Sequence, residues 1–115
     1  MDKYMDKLIE LIKKAFEFIK NIFWRVVNGI LNFAKEIVGW FKSLNLKKGQ
    51  EIPFIAQKEL FKDAIKNAPV RNVGIFEGVY DEVTEEITHV EYIVADDLDA
   101  QTRKVLGEEE LVVLN

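Results

Sequence analysis

The chain has 115 residues, a net charge of −4 at pH 7 and no cysteine. With 49% hydrophobic residues, 6 glycines and 2 prolines, the composition excludes a disordered or collagen-like chain. The missing cysteine excludes disulfides, thiolate metal sites and a cysteine nucleophile, and fits a cytoplasmic protein.

The charge divides the chain into two parts. Residues 1–44 carry eight basic and five acidic side chains, and residues 45–115 carry eight and fifteen, so the net charges are +3 and −7. The charged start MDKYMDKLIELIKK does not resemble a secretory signal. We therefore predict an amphipathic helix over residues 1–45, a linker over 46–51 and a small acidic α+β domain over 52–115.

The apolar residues between positions 4 and 44 share one face when they are placed on a helix at about 100° per residue. Val26 and Ile30 keep this phase across Asn28 and Gly29, so the pattern predicts one continuous helix, roughly 60 Å long. The remaining residues are too few to cover it, so half of its face must meet something outside the chain. The residues expected at this interface are Leu8, Ile12, Ile19, Ile22, Phe23, Val26, Ile30, Phe33, Ile37, Trp40 and Phe41.

Three kinds of partner suit such a helix. Heptad-like spacing and a wide apolar face favour copies of the chain, three or more, in a coiled-coil-like bundle. Trp24, Trp40 and lysines at the edge of the face favour a membrane surface. Another protein subunit is the third possibility. A spanning helix is disfavoured, because no window of about twenty residues is free of charge, unless a pore assembly hides the charges.

If the helix self-associates, the centre of the face carries the contact. Val26→Asp is then expected to dissolve the oligomer and to leave residues 52–114 folded.

After Gly49 the pattern changes to that of a small α+β domain. The predicted elements alternate as β-α-β-β-α-β, which is the split-βαβ or ferredoxin-like pattern. Pro53 cannot donate to a ladder, so the first strand is expected at an edge or to be very short. The elements are a strand at IPFI (52–55), a helix at 57–68, a hairpin of 72–81 and 86–95, a helix within 96–107 capped by aspartate and ended by Gly107, and a strand at 110–115.

Side chains for catalysis are scarce. Ser43 is the only serine and His89 the only histidine, so we expect no enzyme and no cofactor. His89 and Glu91 share a strand face, beside Phe76, Gly78 and Tyr80 if the hairpin pairs in a simple register. An acid–base pair can be imagined there, but the pattern strongly favours a half-exposed strand histidine, because a base needs a positioned partner and a pocket.

Carboxylates flank the last helix at Asp96, Asp97 and Asp99 and at residues 108–110, around Glu109. They could bind a divalent cation, but their spacing lacks the calcium-loop pattern, and capping explains aspartates at a helix start. The acidic second part disfavours nucleic acid, and no small-molecule substrate is evident.

The sequence therefore predicts a non-catalytic, self-assembling structural or interaction protein that oligomerises through its N-terminal helix and presents an acidic α+β domain. The alternative is a membrane-associated protein, interfacial or pore-forming, with the α+β domain as sensor or regulator.

Overall fold

Residues 23–31 form a β-strand, not the middle of a helix, in a computed structural model of the chain. The structure describes residues 3–19, 22–66 and 68–114; residues 20 and 21, which the single-helix prediction included, lie outside this set. The elements are α1 (Lys3–Phe16), β1 (Phe23–Leu31), a π-helix (Phe33–Val38) that continues into α2 (Gly39–Ser43), β2 (Glu51–Gln57), a 3₁₀ segment (Lys58–Ile65), β3 (Val73–Asp81), β4 (Glu86–Leu98), α3 (Ala100–Leu106) and β5 (Leu111–Val113).

The prediction of one continuous helix is wrong, and α1 has only 14 residues. Six of the nine residues from Phe23 to Leu31 are aromatic or aliphatic, and this composition suits a strand. In such a run the apolar positions fit a helical period and a strand equally well. Gly29 has a φ of 100°, which a helix cannot contain, and it lies in an irregularity between Val27 and Ile30 in the pairing of β1 with β4.

The five strands form one mixed sheet in the order β1-β4-β3-β2-β5. β1 is parallel to β4, and the other neighbouring strands are antiparallel. The α+β class is thus confirmed. β5 returns beside β2, so the last four strands have a Greek-key order, and the ferredoxin-like order is not confirmed.

The difference arises at the predicted helix of residues 57–68. This region is a 3₁₀ segment that is interrupted at Phe61 (φ −134°, ψ 50°), so there is no regular crossover helix and β3 returns antiparallel beside β2. Pro53 is also not at an edge, because β2 lies between β3 and β5. β5 pairs only with Phe54–Ala56, and the Pro53 carbonyl accepts from the Leu114 N–H at 2.8 Å. The proline therefore interrupts no pairing with β5.

Helices cover both faces of the sheet. On one face Leu8, Ile12 and Phe16 of α1 are buried against the strands, and the Phe16 ring stacks on Phe61 with centroids 3.5 Å apart. We call this the α1-side core. The opposite, α2-side core holds the buried residues Leu31, Phe33, Ile37, Ile55, Ile75, Ile93, Ala95 and Leu106. Each fully buried side chain of this size stabilises the fold by about 1.5–3 kcal/mol.

The sheet joins residues from both sides of the expected 46–51 linker, because β1 pairs with β4. The longest extent of the Cα trace is 36 Å, well short of the expected 60 Å rod. Within the described residues, no helix has the length and apolar character needed to cross a membrane.

Candidate functional site

Four charged residues meet on the α2 side of the sheet, and we call them the Arg25 cluster: Arg25, Glu36, Glu77 and Glu91. Three come from neighbouring strands, with Arg25 on β1, Glu91 on β4 and Glu77 on β3. Glu36 projects from the π-helix that covers this face. The cluster thus places one cation among three carboxyl groups.

Arg25 holds two of these carboxylates. Its Nε donates to Glu91 Oε1 at 2.6 Å, and its Nη1 donates to Glu36 Oε2. Burial lowers the pKa of the guanidinium, but the hydrogen bonds and charges of Glu36 and Glu91 outweigh this effect and raise it. The arginine is therefore a permanent cation that ties the π-helix to β1 and β4.

Glu77 is fully buried, and neither of its carboxyl oxygens has a hydrogen-bond partner among the described residues. The cationic Arg25 Nη2 is 3.7 Å from Glu77 Oε1. Burial and the charge of Glu91 raise the pKa of Glu77 to about 9, with Glu36 adding to the increase and Arg25 opposing it. Glu77 therefore keeps its proton at neutral pH, and the cluster retains one uncompensated negative charge.

A groove of about 430 Å³ opens beside the cluster. Glu91, His89, Phe23 and Trp40 are among the residues that line it. The remaining described residues that line it are Ile19, Leu44, Ile87, Thr88 and Val90. The described lining therefore combines one acidic residue, Glu91, with two aromatic residues, Phe23 and Trp40.

The groove lies where β4 extends beyond β1. β1 pairs with β4 only from Glu91 onward, and Phe23 is the lateral partner of Glu91. The preceding β4 residues, 86–90 apart from Thr88, pair with β3 on one side, while no strand among the described residues pairs with them on the other. This overhang leaves the space that the groove occupies.

The expected register of His89 was wrong. An irregularity between Val79 and Tyr80 makes Thr88 an extra residue in β4, so His89 pairs with Val79 and not with Gly78. A shift of one residue moves a side chain to the opposite face of a strand. His89 and Glu91 thus share the face of Glu77.

The carboxylates around the last helix have separate structural roles. Asp96 accepts from the Gly29 N–H at 2.9 Å, Asp97 accepts from Arg103, and Asp99 accepts from the Thr102 N–H at 2.8 Å. Throughout the described ranges, no three His, Cys, Asp or Glu side chains converge in a way that could hold a metal ion.

The residues that we expected at an oligomer or membrane interface are distributed over both faces of the sheet. Leu8 and Ile12 are buried in the α1-side core, and Ile19, Ile22 and Val26 pack against that core. On the other face Phe33 and Ile37 are buried, and Phe41 packs beside them. Trp40 is half-buried at the groove, while Phe23 and Ile30 are exposed.

The sequence pattern did not predict that Arg25, Glu36 and Glu77 form a group. Arg25 is the only charged residue between Phe23 and Ala34, and Glu77 is the only one between Val73 and Tyr80. A single charge within a strand-like apolar run is the signal that points to a buried ion pair. Arg25 reaches Glu36 and Glu77 only because β1 is a strand, and the predicted helix did not allow these contacts to be foreseen.

Protein-family models, curated proteins and solved structures were compared with the chain, and none of them matches it.

Proposed function

We propose that the protein is a non-catalytic interaction subunit that self-associates through the free edge of β1. The proposal is supported chiefly by the nature of this edge. β1 is nine residues long and, among the strands that the structure describes, pairs only with β4. The other edge strand, β5, has three residues. A long edge with unpaired backbone groups is a template for another strand.

β1 lacks the side chains that usually protect an edge. It contains no lysine and no proline, and its only charge, Arg25, is engaged in the Arg25 cluster. Trp24 and Ile30 are large apolar side chains that remain exposed on this strand. Edges of natural proteins that stay single are commonly short, charged or interrupted by proline. The irregularity at Gly29 is the one protecting feature that β1 has.

A second copy of the chain is the occupant that the charges favour. Each copy carries a net charge of −4, so two copies repel each other over most of their surfaces. β1 itself adds nothing to this repulsion, because the strand contains no acidic side chain. Antiparallel pairing of β1 with its copy is a twofold, self-complementary contact and would join two five-stranded sheets into one of about ten strands.

This arrangement replaces the expected bundle of three or more helices. The residues of α1 that would have formed the bundle, Leu8, Ile12 and Phe16, pack within the chain itself. A twofold edge contact closes after two copies, so the expected product is a dimer.

Sedimentation velocity at micromolar concentrations tests the proposal with two matched variants. Ile30→Lys adds a charge to the β1 edge, whereas Val83→Lys adds the same charge at the β3–β4 turn; their side chains are 63% and 72% exposed. We expect the wild type and Val83→Lys to dimerise and Ile30→Lys to be a monomer. A monomeric wild type, or an Ile30→Lys variant that dimerises as well as the wild type, would contradict the proposal.

Association with a membrane surface is a second candidate. Phe18 and Phe23, at the two ends of the α1–β1 connection, are both strongly exposed. Exposed aromatic side chains can enter the interfacial region of a bilayer. Co-flotation with anionic vesicles at low salt tests this candidate. We expect Phe18→Ser to weaken flotation and Val83→Ser to leave it unchanged, and a wild type that does not float would reject it.

A further inference from the structure

The geometry points to a binding site for a small organic cation, an alkylammonium or alkylguanidinium, in the groove beside Glu91. The cationic group would lie against the Glu91 carboxylate, and the alkyl chain would lie between Phe23 and Trp40. This inference goes beyond the proposed self-association and does not depend on it.

The first argument is the charge of the Arg25 cluster. Arg25 contacts Glu36 and Glu91 with hydrogen bonds, while Glu77 remains without one among the described residues, although it is fully buried. A buried polar group without a partner is costly and often indicates a site that is completed by another group. The cluster contains one cation and three carboxyl groups, so it can accept a second positive charge.

The second argument is the shape and composition of the groove. Its volume of about 430 Å³ lies in the usual range for small-ligand sites, about 300–1,000 Å³. Phe23 lies next to Glu91 in the β1–β4 ladder, so a cation at Glu91 also meets an aromatic ring. Aromatic faces attract ammonium and guanidinium groups, more strongly where water is excluded.

The type of cation follows from the same residues. A divalent metal ion needs several converging oxygen or nitrogen ligands, and no such group of three occurs within the described part of the chain. An organic cation needs only one carboxylate together with apolar and aromatic walls. Glu91, Phe23 and Trp40 provide these features.

Binding is expected to be coupled to the proton on Glu77. The groups that face this carboxyl are Arg25 from β1, Glu36 from the π-helix and Glu91 from β4, while β2 contributes the apolar Ile55 as lateral partner. A cation beside Glu91 would reduce the repulsion that opposes ionisation of Glu77. The ligand should therefore bind more tightly as the pH rises towards 9 and should release a proton.

The test uses the full chain and three probes: butylguanidinium, butylammonium and the neutral n-butanol. Amide shifts of residues 87–91 and the indole shift of Trp40 are followed by NMR. We expect both cations to saturate with dissociation constants of roughly 1 mM or below, and butanol to bind at least tenfold more weakly. If butanol binds equally well, or if neither cation saturates, the inference is wrong.

Two variants locate the site, with Glu108→Gln as the control at an exposed carboxylate. Glu91→Gln should weaken binding about tenfold, as expected for loss of a charged partner. Trp40→Leu retains every carboxylate and should weaken binding severalfold, so the site remains testable if Glu91→Gln is poorly folded. If Glu108→Gln weakens binding as much as Glu91→Gln and Trp40→Leu do, the probes bind only to the acidic surface in general, and the inference is wrong.

Three further measurements complete the test. In the Ile30→Lys background the same dissociation constants are expected, which separates ligand binding from dimer formation. At pH 9.0 the wild type should bind more tightly than at pH 7.5, whereas Glu77→Gln should bind equally at the two pH values. Both pH values lie above the range in which an ordinary histidine is charged. A Gly-Arg-Gly peptide serves as a last probe, and saturation by this peptide alone would assign the groove to a protein side chain and overturn the small-ligand assignment.

Discussion

Glu77 and Glu91 stand directly opposite each other in the β3–β4 ladder. Two carboxylates in this position repel each other. Arg25 donates to Glu91 at 2.6 Å and leaves Glu77 without a hydrogen bond among the described residues. The pair is thus asymmetric, because Glu91 is ionised and shares the guanidinium with Glu36, whereas Glu77 is neutralised by its own proton.

The protonated state of Glu77 makes stability depend on pH. Its pKa is about 9 in the folded chain and near the ordinary value of 4.5 in the unfolded chain. Below pH 4.5 both states hold the proton, so there is no penalty. Between these values the unfolded state loses the proton and the folded state keeps it, so the folding equilibrium constant falls by up to tenfold per pH unit.

Glu77→Gln should remove this dependence, because glutamine is similar in shape and cannot ionise. We expect the variant to gain stability relative to the wild type as the pH rises from 5 to 8. Urea denaturation at pH 5, 6.5 and 8 measures this gain, with the exposed Glu108→Gln as the control. A constant difference between Glu77→Gln and the wild type over this range would show that Glu77 is ionised in the folded protein.

Val26→Asp tests whether the N-terminal half belongs to the same folding unit as the rest. Val26 pairs with Val94, which is buried in the α1-side core. A carboxylate placed there loses hydration without gaining a partner, which costs several kcal/mol. Contrary to the expectation from the sequence, we predict that residues 52–114 unfold together with β1. Circular dichroism and NMR of the variant would show this, and native β2–β3–β4 shifts in the variant would contradict it.

Asp99→Ala tests the junction between α3 and the π-helix. The Asp99 side chain accepts from the Thr102 N–H at 2.8 Å and from the Phe33 N–H at 2.9 Å. Its removal leaves both donors unpaired and should cost about 2–3 kcal/mol. Asp97→Ala, which removes an exposed pair with Arg103 and an exposed hydrogen bond from the Leu98 N–H, should cost less, about 1 kcal/mol. Equal losses in thermal denaturation would show that the junction contributes little.

Most elements of the second half of the chain, apart from residues 57–68, could be predicted from the sequence because they have local signals. The hairpin shows strand-like runs on both sides of a polar tip, and Asp81 closes this tip by accepting from the Val83 and Thr84 N–H groups. The last helix begins after Asp99 and ends at Gly107, as expected from capping. Each of these features depends on neighbouring residues alone.

The strand in the first half could not be predicted in this way, because its structure depends on contacts with residues distant in sequence. Phe23–Leu31 is apolar enough to suit a helix or a strand, and the choice is made by pairing with β4, more than sixty residues away in sequence. The Arg25 cluster was hidden for the same reason. Its members come together only when β1, β3 and β4 are adjacent, and the extra residue at Thr88 determines which side chains share a face.

We propose that residues 23–31 are a strand whose outer edge pairs with a second copy. Hydrogen exchange of the β1 amides at low and high protein concentration tests this proposal. In a parallel ladder, alternate amides of β1 face β4. We predict that these amides are protected at both concentrations and that the remaining amides become protected as the concentration rises. Uniform protection along residues 23–31 at every concentration, as in a continuous helix, would contradict the strand. Outer amides that stay unprotected at high concentration would contradict the pairing with a second copy.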